Sequence, residues 1–518
     1  MMTRRILLFV FIFCVGGLLV VDAQNTTAGR WTTPQFLGDG WWQSMTLDQE
    51  GELHVGWYGS QRAEDGSDID QLIYTMRKLD GSWTPQVDAI YTGLGGFTVR
   101  NALAATSDGV IHVLFRAGTA HYSSSAAIVG ASEAANWSEW RQVSDTGYYL
   151  SLISDKNDVL HAVFSGSAFL PGLATEEGRQ ESSACFLCYN LFYRRSMDGG
   201  QTWGDLAPLS TEPNTGSDRV KIQQGPNGRL YITWDEGLDW YTGRGQALDV
   251  RMVYSDDSGL TWSKPVILDG GDHPDRRPIQ GTLTELQNGS IMMVWRYSTD
   301  SDRNIYYQIS NNSGETWTEP TSIPRIFARS VNESTLDHYT LLTDRLGTVH
   351  LFMVGQSTLT STTNAQLYDI TYRPQADFWR SPQRIYYSPD EEPEWPEAVF
   401  GLGNDIHLTF FTRGLRENVQ GTQNNTAQLR VYYSYLTGNL PAAPTVEFRP
   451  TETMFPTPTV FQNIDPSPTP LPTLEKFDPG LTIYSYDNYA AQTVLGGMFL
   501  AALFCGGVLL LVRFIRRR

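Results

Sequence analysis

Short apolar strands recur along this chain, each announced by a polar turn. They read Glu52-Leu-His-Val-Gly-Trp57, Val110-Ile-His-Val-Leu-Phe115, Val159-Leu-His-Ala-Val-Phe164, Arg229-Leu-Tyr-Ile-Thr-Trp234, Ser290-Ile-Met-Met-Val-Trp295, Thr348-Val-His-Leu-Phe-Met353 and Asp405-Ile-His-Leu-Thr-Phe410. Gly or Asn commonly stands just ahead, as at Asn227-Gly228 and Asn288-Gly289, which is hairpin chemistry. Downstream come Tyr-rich strands, among them Ile73-Tyr-Thr-Met76, Leu191-Phe-Tyr-Arg194, Met252-Val-Tyr254, Ile305-Tyr-Tyr307 and Val431-Tyr-Tyr433. A Trp usually follows, and a last strand begins near a Pro, as in Trp262-Ser-Lys-Pro265. A unit repeated in this way predicts an array of similar β pieces.

Three of the tryptophans close a stricter pattern, Ser-x-(Asp/Asn)-x-Gly-x-Thr-Trp. The copies are Ser196-Met-Asp-Gly-Gly-Gln-Thr-Trp203, Ser255-Asp-Asp-Ser-Gly-Leu-Thr-Trp262 and Ser310-Asn-Asn-Ser-Gly-Glu-Thr-Trp317; degenerate copies end at Trp83, Trp140 and Trp379. Each suits a tight turn: a short polar side chain bonds local backbone, Gly accepts positive φ, and Trp pins the turn to its sheet. The pattern resembles the Asp box of the sialidase and BNR-repeat families. The resemblance implies a β-propeller in which each box joins the third and fourth strands of a blade, on the face opposite the family's active site. It does not by itself imply sialidase activity, because one fold hosts many functions.

The expected fold is therefore all-β, a propeller of four-stranded blades. Seven blades are favoured; six is the alternative if the weak unit at 99–146 is irregular. The seventh unit lacks its Trp strand, since Tyr433 runs on into Leu440-Pro-Ala-Ala-Pro444. The missing piece stands at the other end, as Trp31-Thr-Thr-Pro34-Gln-Phe-Leu37. This N-terminal strand is expected to pair beside Val431–Tyr433 and close the ring, leaving no open edge.

Composition changes the picture mainly outside the repeats. The formal net charge of −18 argues against a nucleic-acid partner, which needs clustered Lys and Arg. Residues 1–23 carry the basic and apolar regions of a signal peptide. The propeller is expected over 30–437, a Pro/Thr-rich stalk over 438–488, a transmembrane helix over 489–512 and a basic cytoplasmic tail over 513–518. The expected setting is thus the cell membrane, single-pass, with the propeller extracellular in type I topology. An exported chain favours a local disulfide between Cys185 and Cys188. Five histidines (His54, His112, His161, His350 and His407) share one repeated strand position and read as structural. No metal site and no cofactor is expected.

A propeller brings the starts of its first strands to one mouth, together with the loops between second and third strands. Those starts carry Trp41-Trp42, Arg100, Tyr148-Tyr149, Asp218-Arg219, Asp275-Arg276-Arg277, Asp337-His338-Tyr339 and Glu394-Trp395. Arg100, Arg219 and Arg277 would converge on a carboxylate, for which the guanidinium fork is suited. Trp41 and Trp395 would stack on sugar faces. Glu236, Asp275, Asp337 and Glu394 are the carboxyl groups within reach of acid–base work. The competing reading for Arg219 and Arg276 is a salt bridge to the neighbouring Asp218 and Asp275, and for Tyr339 it is packing at the channel wall. Sialidases use an arginine triad, a Tyr nucleophile paired with a Glu, and an Asp acid/base, so the resemblance implies Tyr339 as nucleophile, Glu236 or Glu394 as its partner, and Asp275 or Asp337 as proton donor. The family's Phe-Arg-Ile-Pro motif is absent, with only Arg277-Pro278 of similar flavour. The resemblance thus implies a sialidase-like hydrolase acting on terminal sialic acid or related acidic sugars. A non-catalytic propeller binding glycans or glycoproteins is the alternative, and a lyase on the same scaffold a third. The insertion 165–190 is expected to shape specificity.

Overall fold

The computed structural model describes residues 29–438 apart from 63–67, 93–99, 146, 167–189, 211–214, 239–245, 269–275, 332–337, 361–363 and 415–428. The chain divides into two units. Met1–Asn418 with Asn425–Phe448 holds the β structure, and Val419–Asn424 with Arg449–Arg518 lies outside the described residues. Outside them too fall the expected signal peptide, the stalk beyond Gly438, the apolar span at 489–512, the basic tail, the core of the 165–190 insertion and the Cys185–Cys188 pair. Among the described residues no helix is long and apolar enough to cross a membrane.

The described chain is an all-β propeller. Sheet I runs Trp41–Leu47, Leu53–Arg62, Asp68–Arg77 and Val87–Tyr91. Sheet II runs Asn101–Thr106, Val110–Ala117, Ala120–Ala127 and Arg141–Ser144. Sheet III runs Leu150–Ser154, Leu160–Gly166, Asn190–Ser196 and Ala207–Ser210, and sheet IV runs Thr215–Gln224, Leu230–Leu238, Gln246–Ser255 and Val266–Ile267. Sheet V has nine strands, from Pro278–Glu285 to Gln383–Tyr386. Sheet VI runs Glu391–Phe400, Ile406–Gly414, Leu429–Leu436 and then, from the other end of the chain, Gln35–Asp39. Seven separate four-stranded blades are thus not what the hydrogen bonding gives: five sheets have four strands and the sixth has nine. The cause is Thr321–Ala328, which pairs with Asn304–Ser310 and then continues onto Val349–Ser357 through Ile326, Phe327 and Ala328. The weak unit at 99–146 is a regular four-stranded sheet.

The apolar runs that stand out in the sequence are the second strands. Leu160–Gly166 and Ile291–Tyr297 are buried at every position, because each lies within its sheet and has a neighbouring sheet on either face. Such strands read as continuous apolar runs rather than alternating ones. Gln35–Asp39 pairs antiparallel with the third strand of sheet VI, Gln35 opposite Tyr433 and Gly38 opposite Val431, and Trp31 bridges to Leu436.

The box turns share one hydrogen-bond scheme. Ser255 Oγ donates to Asp257 at 2.8 Å, Gly259 N–H donates to Ser255 Oγ at 2.9 Å, and the Thr261 N–H and hydroxyl donate to the Asp257 carboxylate at 2.9 and 2.6 Å. These donors, Thr261 foremost, hold the Asp257 carboxyl below the usual carboxylate range. The copy at Ser196 repeats the scheme, and the copy at Ser310 does so except that the Asn312 amide donates to the Thr316 hydroxyl. Each Trp then reaches the third strand of the preceding sheet. Trp203 donates to Ser123 at 3.0 Å, Trp262 packs edge-on to Tyr193 at 4.9 Å, and Trp83 packs edge-on to Tyr433 at 5.1 Å. In sheet II the residue that does this is Trp137, against Tyr74, rather than Trp140. Trp31 plays the same part for sheet VI, donating to Asp369 at 3.2 Å.

The repeated histidines lie in the core: His54, His161 and His407 each contact a carboxylate and a Tyr, His350 lies against Asp344 and Asp369, and His112 bonds Thr106. His54 contacts Asp48 and Tyr74 at 3.3 and 2.6 Å, and His407 contacts Asp405 and Tyr433 at 3.0 and 2.8 Å.

Candidate functional site

Four first strands carry the same defect near their starts. The pairing skips between Trp41 and Ser44, Asp218 and Lys221, Ile279 and Thr282, and Glu394 and Glu397. At each skip a large residue takes a left-handed conformation: Trp42 (φ 51°), Arg219 (51°), Gln280 (57°) and Trp395 (53°). Such backbone is costly for non-glycine residues and clusters where a fold must aim side chains. These bulges lie at the end of the sheets opposite the box turns.

The bulges and the neighbouring strand starts build one contiguous cluster. Arg100 is 4% exposed, with its guanidinium carbon 3.8 Å from the Trp42 ring centre, 4.0 Å from Tyr149 and 4.1 Å from Tyr148. Trp42 meets Trp395 edge-on at 4.9 Å, and Trp395 stacks on His338 at 4.7 Å. Trp41, Tyr148 and Trp395 stay half-buried, so ring surface remains open. Arg219 donates to Asp235 at 2.9 Å, and the same carboxylate accepts the N–H groups of Gln280 at 2.7 Å and Gly281 at 3.2 Å. Asp235 therefore ties the bulge of sheet IV to that of sheet V. Lys221 Nζ donates to His338 Nε2 at 2.8 Å and to Glu397 at 3.0 Å, joining strands far apart in sequence.

Burial sets the protonation states. It pushes the Asp235 carboxyl up, against the pull of Arg219 and the two N–H donors. It pushes Asp218 up to about 7, with Arg219 and Arg100 pulling down and Asp235 and Glu236 pushing up. His338 lies well below its ordinary value, because burial, Lys221 and Arg219 all disfavour its charge. The neutral ring can accept from Lys221. Tyr149 is raised by burial.

The expected site residues divide. Arg100 and Arg219 lie in the one cluster, Arg100 against the rings of Trp42 and Tyr149 and Arg219 against Asp235, the residue paired with Asp218. Trp41 and Trp395 lie beside them. Arg277 does not join: it is exposed, and its neighbour Arg276 is the fixed cation, bonded to Asp302 at 2.5 Å and lying over Tyr297. Tyr339 is 1% exposed in an apolar cluster with Met292, Val294 and Leu341, so its ring packs the core. Glu236 is fully buried, accepting from Ser210 at 3.0 Å, Ser217 at 3.1 Å and Trp234 at 2.7 Å, and burial raises its carboxyl. Glu394 lies between Arg329 at 3.5 Å and Arg413 at 3.3 Å. Asp275 and Asp337 lie outside the described residues. Arg219 does form a salt bridge, but with Asp235 across the strand pair and not with Asp218. Lys221 and Glu397 were not singled out by the sequence. A polar crevice of about 230 Å³ opens at the opposite ends of the first strands, lined by Gln223, Thr284, Glu285 and Thr343, away from this cluster.

Comparison with known proteins agrees with the architecture. A family model described as a BNR repeat-like domain matches residues 188–399. A sialidase of Clostridium perfringens is 28% identical over 153 residues, 25% of this chain and 40% of that protein. A sialidase of Paraclostridium sordellii is 27% identical over 154 residues, 25% of this chain and 38% of that protein. The chain thus spans about two-fifths of the length of the curated relatives it matches. Among solved structures, an ulvan lyase bound to GlcA(1-4)Rha3S superimposes with a TM-score of 0.51 at 12% identity, over 79% of this chain and 96% of that one. The polysaccharide lyase Uly1 does so with a TM-score of 0.50 at 10% identity, over 78% and 91%. These two likenesses concern the fold alone. Residues 188–399 thus carry a BNR repeat-like domain, and the chain is similar to sialidases over a quarter of its length.

Proposed function

We propose that this chain binds a carboxylated sugar of a glycan at the bulged end of the propeller. The observation that supports it is Arg100, a guanidinium packed among the rings of Trp42, Tyr148 and Tyr149. A cation in a low-dielectric cage acts strongly on an anion placed over it. The open faces of Trp41, Tyr148 and Trp395 offer stacking area for the sugar ring. Both the sialidase relatives and the ulvan lyase bound to GlcA point to acidic sugars, which is the chemistry they have in common. In this reading Arg100, Arg219, Trp41 and Trp395 belong to the site, and Tyr339, Glu236 and Arg277 do not. The test is a glycan array carrying sialylated, uronate-containing and neutral glycans. Acidic glycans should be retained and Arg100→Met should release them; equal retention of neutral glycans would overturn the proposal.

A second reading is hydrolysis of sialosides, favoured by the partial match to two sialidases. Asp275 would then be the proton donor. Release of a fluorophore from a synthetic sialoside by the protein tests this, and no turnover alongside array binding leaves the first reading alone. We also read sheet V as two blades fused by Thr321–Ala328, seven blades in all, since successive sheets meet in turn around a ring. Display at the cell surface on the 489–512 segment rests on sequence, and surface labelling of intact cells tests it.

A further inference from the structure

We propose that Asp218 is a specificity-determining residue of this mouth, donating the proton of its carboxyl group to the carboxylate of the bound sugar. This rests on the acidic-sugar reading above and deepens it.

The bulge of sheet IV produces the arrangement. Asp218 pairs opposite Asp235, and Arg219 follows it in the left-handed conformation. That turn sends the Arg219 guanidinium to Asp235, 2.9 Å away, and not to its own neighbour. Asp218 is left 9% exposed, and no hydrogen bond or ion pair to its carboxyl group occurs among the described residues. An ionised carboxylate in that position would be a buried charge without a hydrogen-bond donor, which is costly even with Arg219 and Arg100 attracting it. The group avoids the cost by keeping its proton. Among the described residues, the charges and titratable groups acting on it come from four elements: Arg219 on its own strand, Asp235 and Glu236 on the paired strand, Arg100 at the start of sheet II and Tyr149 at the start of sheet III. Lys221 and Arg219 in turn act on His338.

The floor beside Asp218 thus pairs Arg100 with a carboxylic acid. A neutral carboxyl group has one O–H to donate and an ionised one has none. Toward a sugar carboxylate the protonated form adds a bond, and the ionised form adds a repulsion. A neutral sugar gains nothing from the distinction, so Asp218 discriminates between the two classes and makes acidic binding depend on pH. Above the titration of Asp218, each bound acidic sugar takes up one proton, and affinity should fall about tenfold per pH unit.

Isothermal titration of the protein with 3′-sialyllactose, a glucuronic acid disaccharide and lactose between pH 5.5 and 8.5 tests this. The wild type should bind one of the acidic probes with affinity falling about tenfold per unit above pH 7. Asp218→Asn, whose amide donates at every pH, should bind it with a flat profile. If Asp218→Asn keeps the wild-type profile, or if the wild type binds with no pH dependence, the inference is overturned while the acidic-sugar reading stands. If neither acidic probe binds better than lactose at any pH, both fall. A ligand-free measurement stands beside these. The folded carboxyl holds its proton to about pH 7 and an unfolded Asp only to about 3.9, so wild-type stability should decline between those values relative to Asp218→Asn and run parallel above them. Parallel curves throughout would also overturn the inference.

Discussion

Replacing Asp235 with Asn should destabilise the propeller by about 3–5 kcal/mol, the range for stranding one partner of a buried ion pair. The carboxylate takes the Arg219 guanidinium at 2.9 Å and the N–H groups of Gln280 at 2.7 Å and Gly281 at 3.2 Å. It has two oxygens to share among three donors. An amide keeps one oxygen and turns an NH₂ toward a donor, so a guanidinium with almost no access to water loses the Asp235 charge and at least one donor loses its acceptor. Arg219→Met alone leaves Asp235 with both N–H donors and should cost less. The double variant, Asp235→Asn with Arg219→Met, removes the stranded charge and should recover about 2 kcal/mol or more of the summed losses. Urea unfolding at pH 7, with the slope checked for constancy, measures all three. A loss below about 1 kcal/mol for Asp235→Asn would refute the reasoning, against the range expected for a broken buried pair. So would losses that simply add, because Arg219 and Asp235 would then not be coupled.

Gly259→Ala tests the box turn. Gly259 has φ +74°, and a Cβ there would stand 1.9 Å from the Tyr193 hydroxyl, which bonds His161. The left-handed strain of about 1–2 kcal/mol and overpacking of about 1–3 kcal/mol should together lower urea stability by about 2–5 kcal/mol. His350 tests the core carboxylates. Burial opposes its charge, but Asp369 and Asp344 overcome that and hold the imidazolium to about 9. Its folded value lies above the unfolded one, so the stability it contributes is complete below about pH 6.5 and is lost as pH rises through 9. Between pH 6 and 9.5 the wild type should therefore lose more stability than His350→Gln, and equal losses would count against the pairing. Removing residues through Asp39 uncovers the Leu429–Leu436 edge, and sedimentation should then show association that the full chain does not.

Much of this fold was legible because its signal is local. A buried second strand such as Ile291–Tyr297 is apolar at nearly every position, and a box turn must supply its own acceptors within eight residues. Even the displaced Trp31 segment could be placed, since an incomplete unit at one end matched an orphan strand at the other. The site was legible to within about one residue, and in strands one residue is the whole difference, because successive side chains face opposite ways. His338 faces Trp395 and Lys221, while the adjacent Tyr339 faces the core. Arg276 is fixed by Asp302, while Arg277 is exposed. The bulges aggravate this, since each inserts a residue that no pattern of apolar positions announces. Lys221 and Glu397 carried no signal: each is an ordinary charged residue on a strand, and only ring closure sets them 3.0 Å apart.

The pairing of Gln35–Asp39 with Leu429–Leu436 also bears on how the protein is made. Emerging from the ribosome, the chain offers one strand of its final sheet first and the other three last. The intervening sheets can assemble in order from neighbouring hairpins, but the first-made strand must wait without its partner until nearly four hundred residues have followed. Contacts that span such a separation slow the last step of folding. During that interval the waiting strand and the incomplete sheet are both sticky, so crowded synthesis should favour exchange of this one strand between nascent copies over any other misassembly.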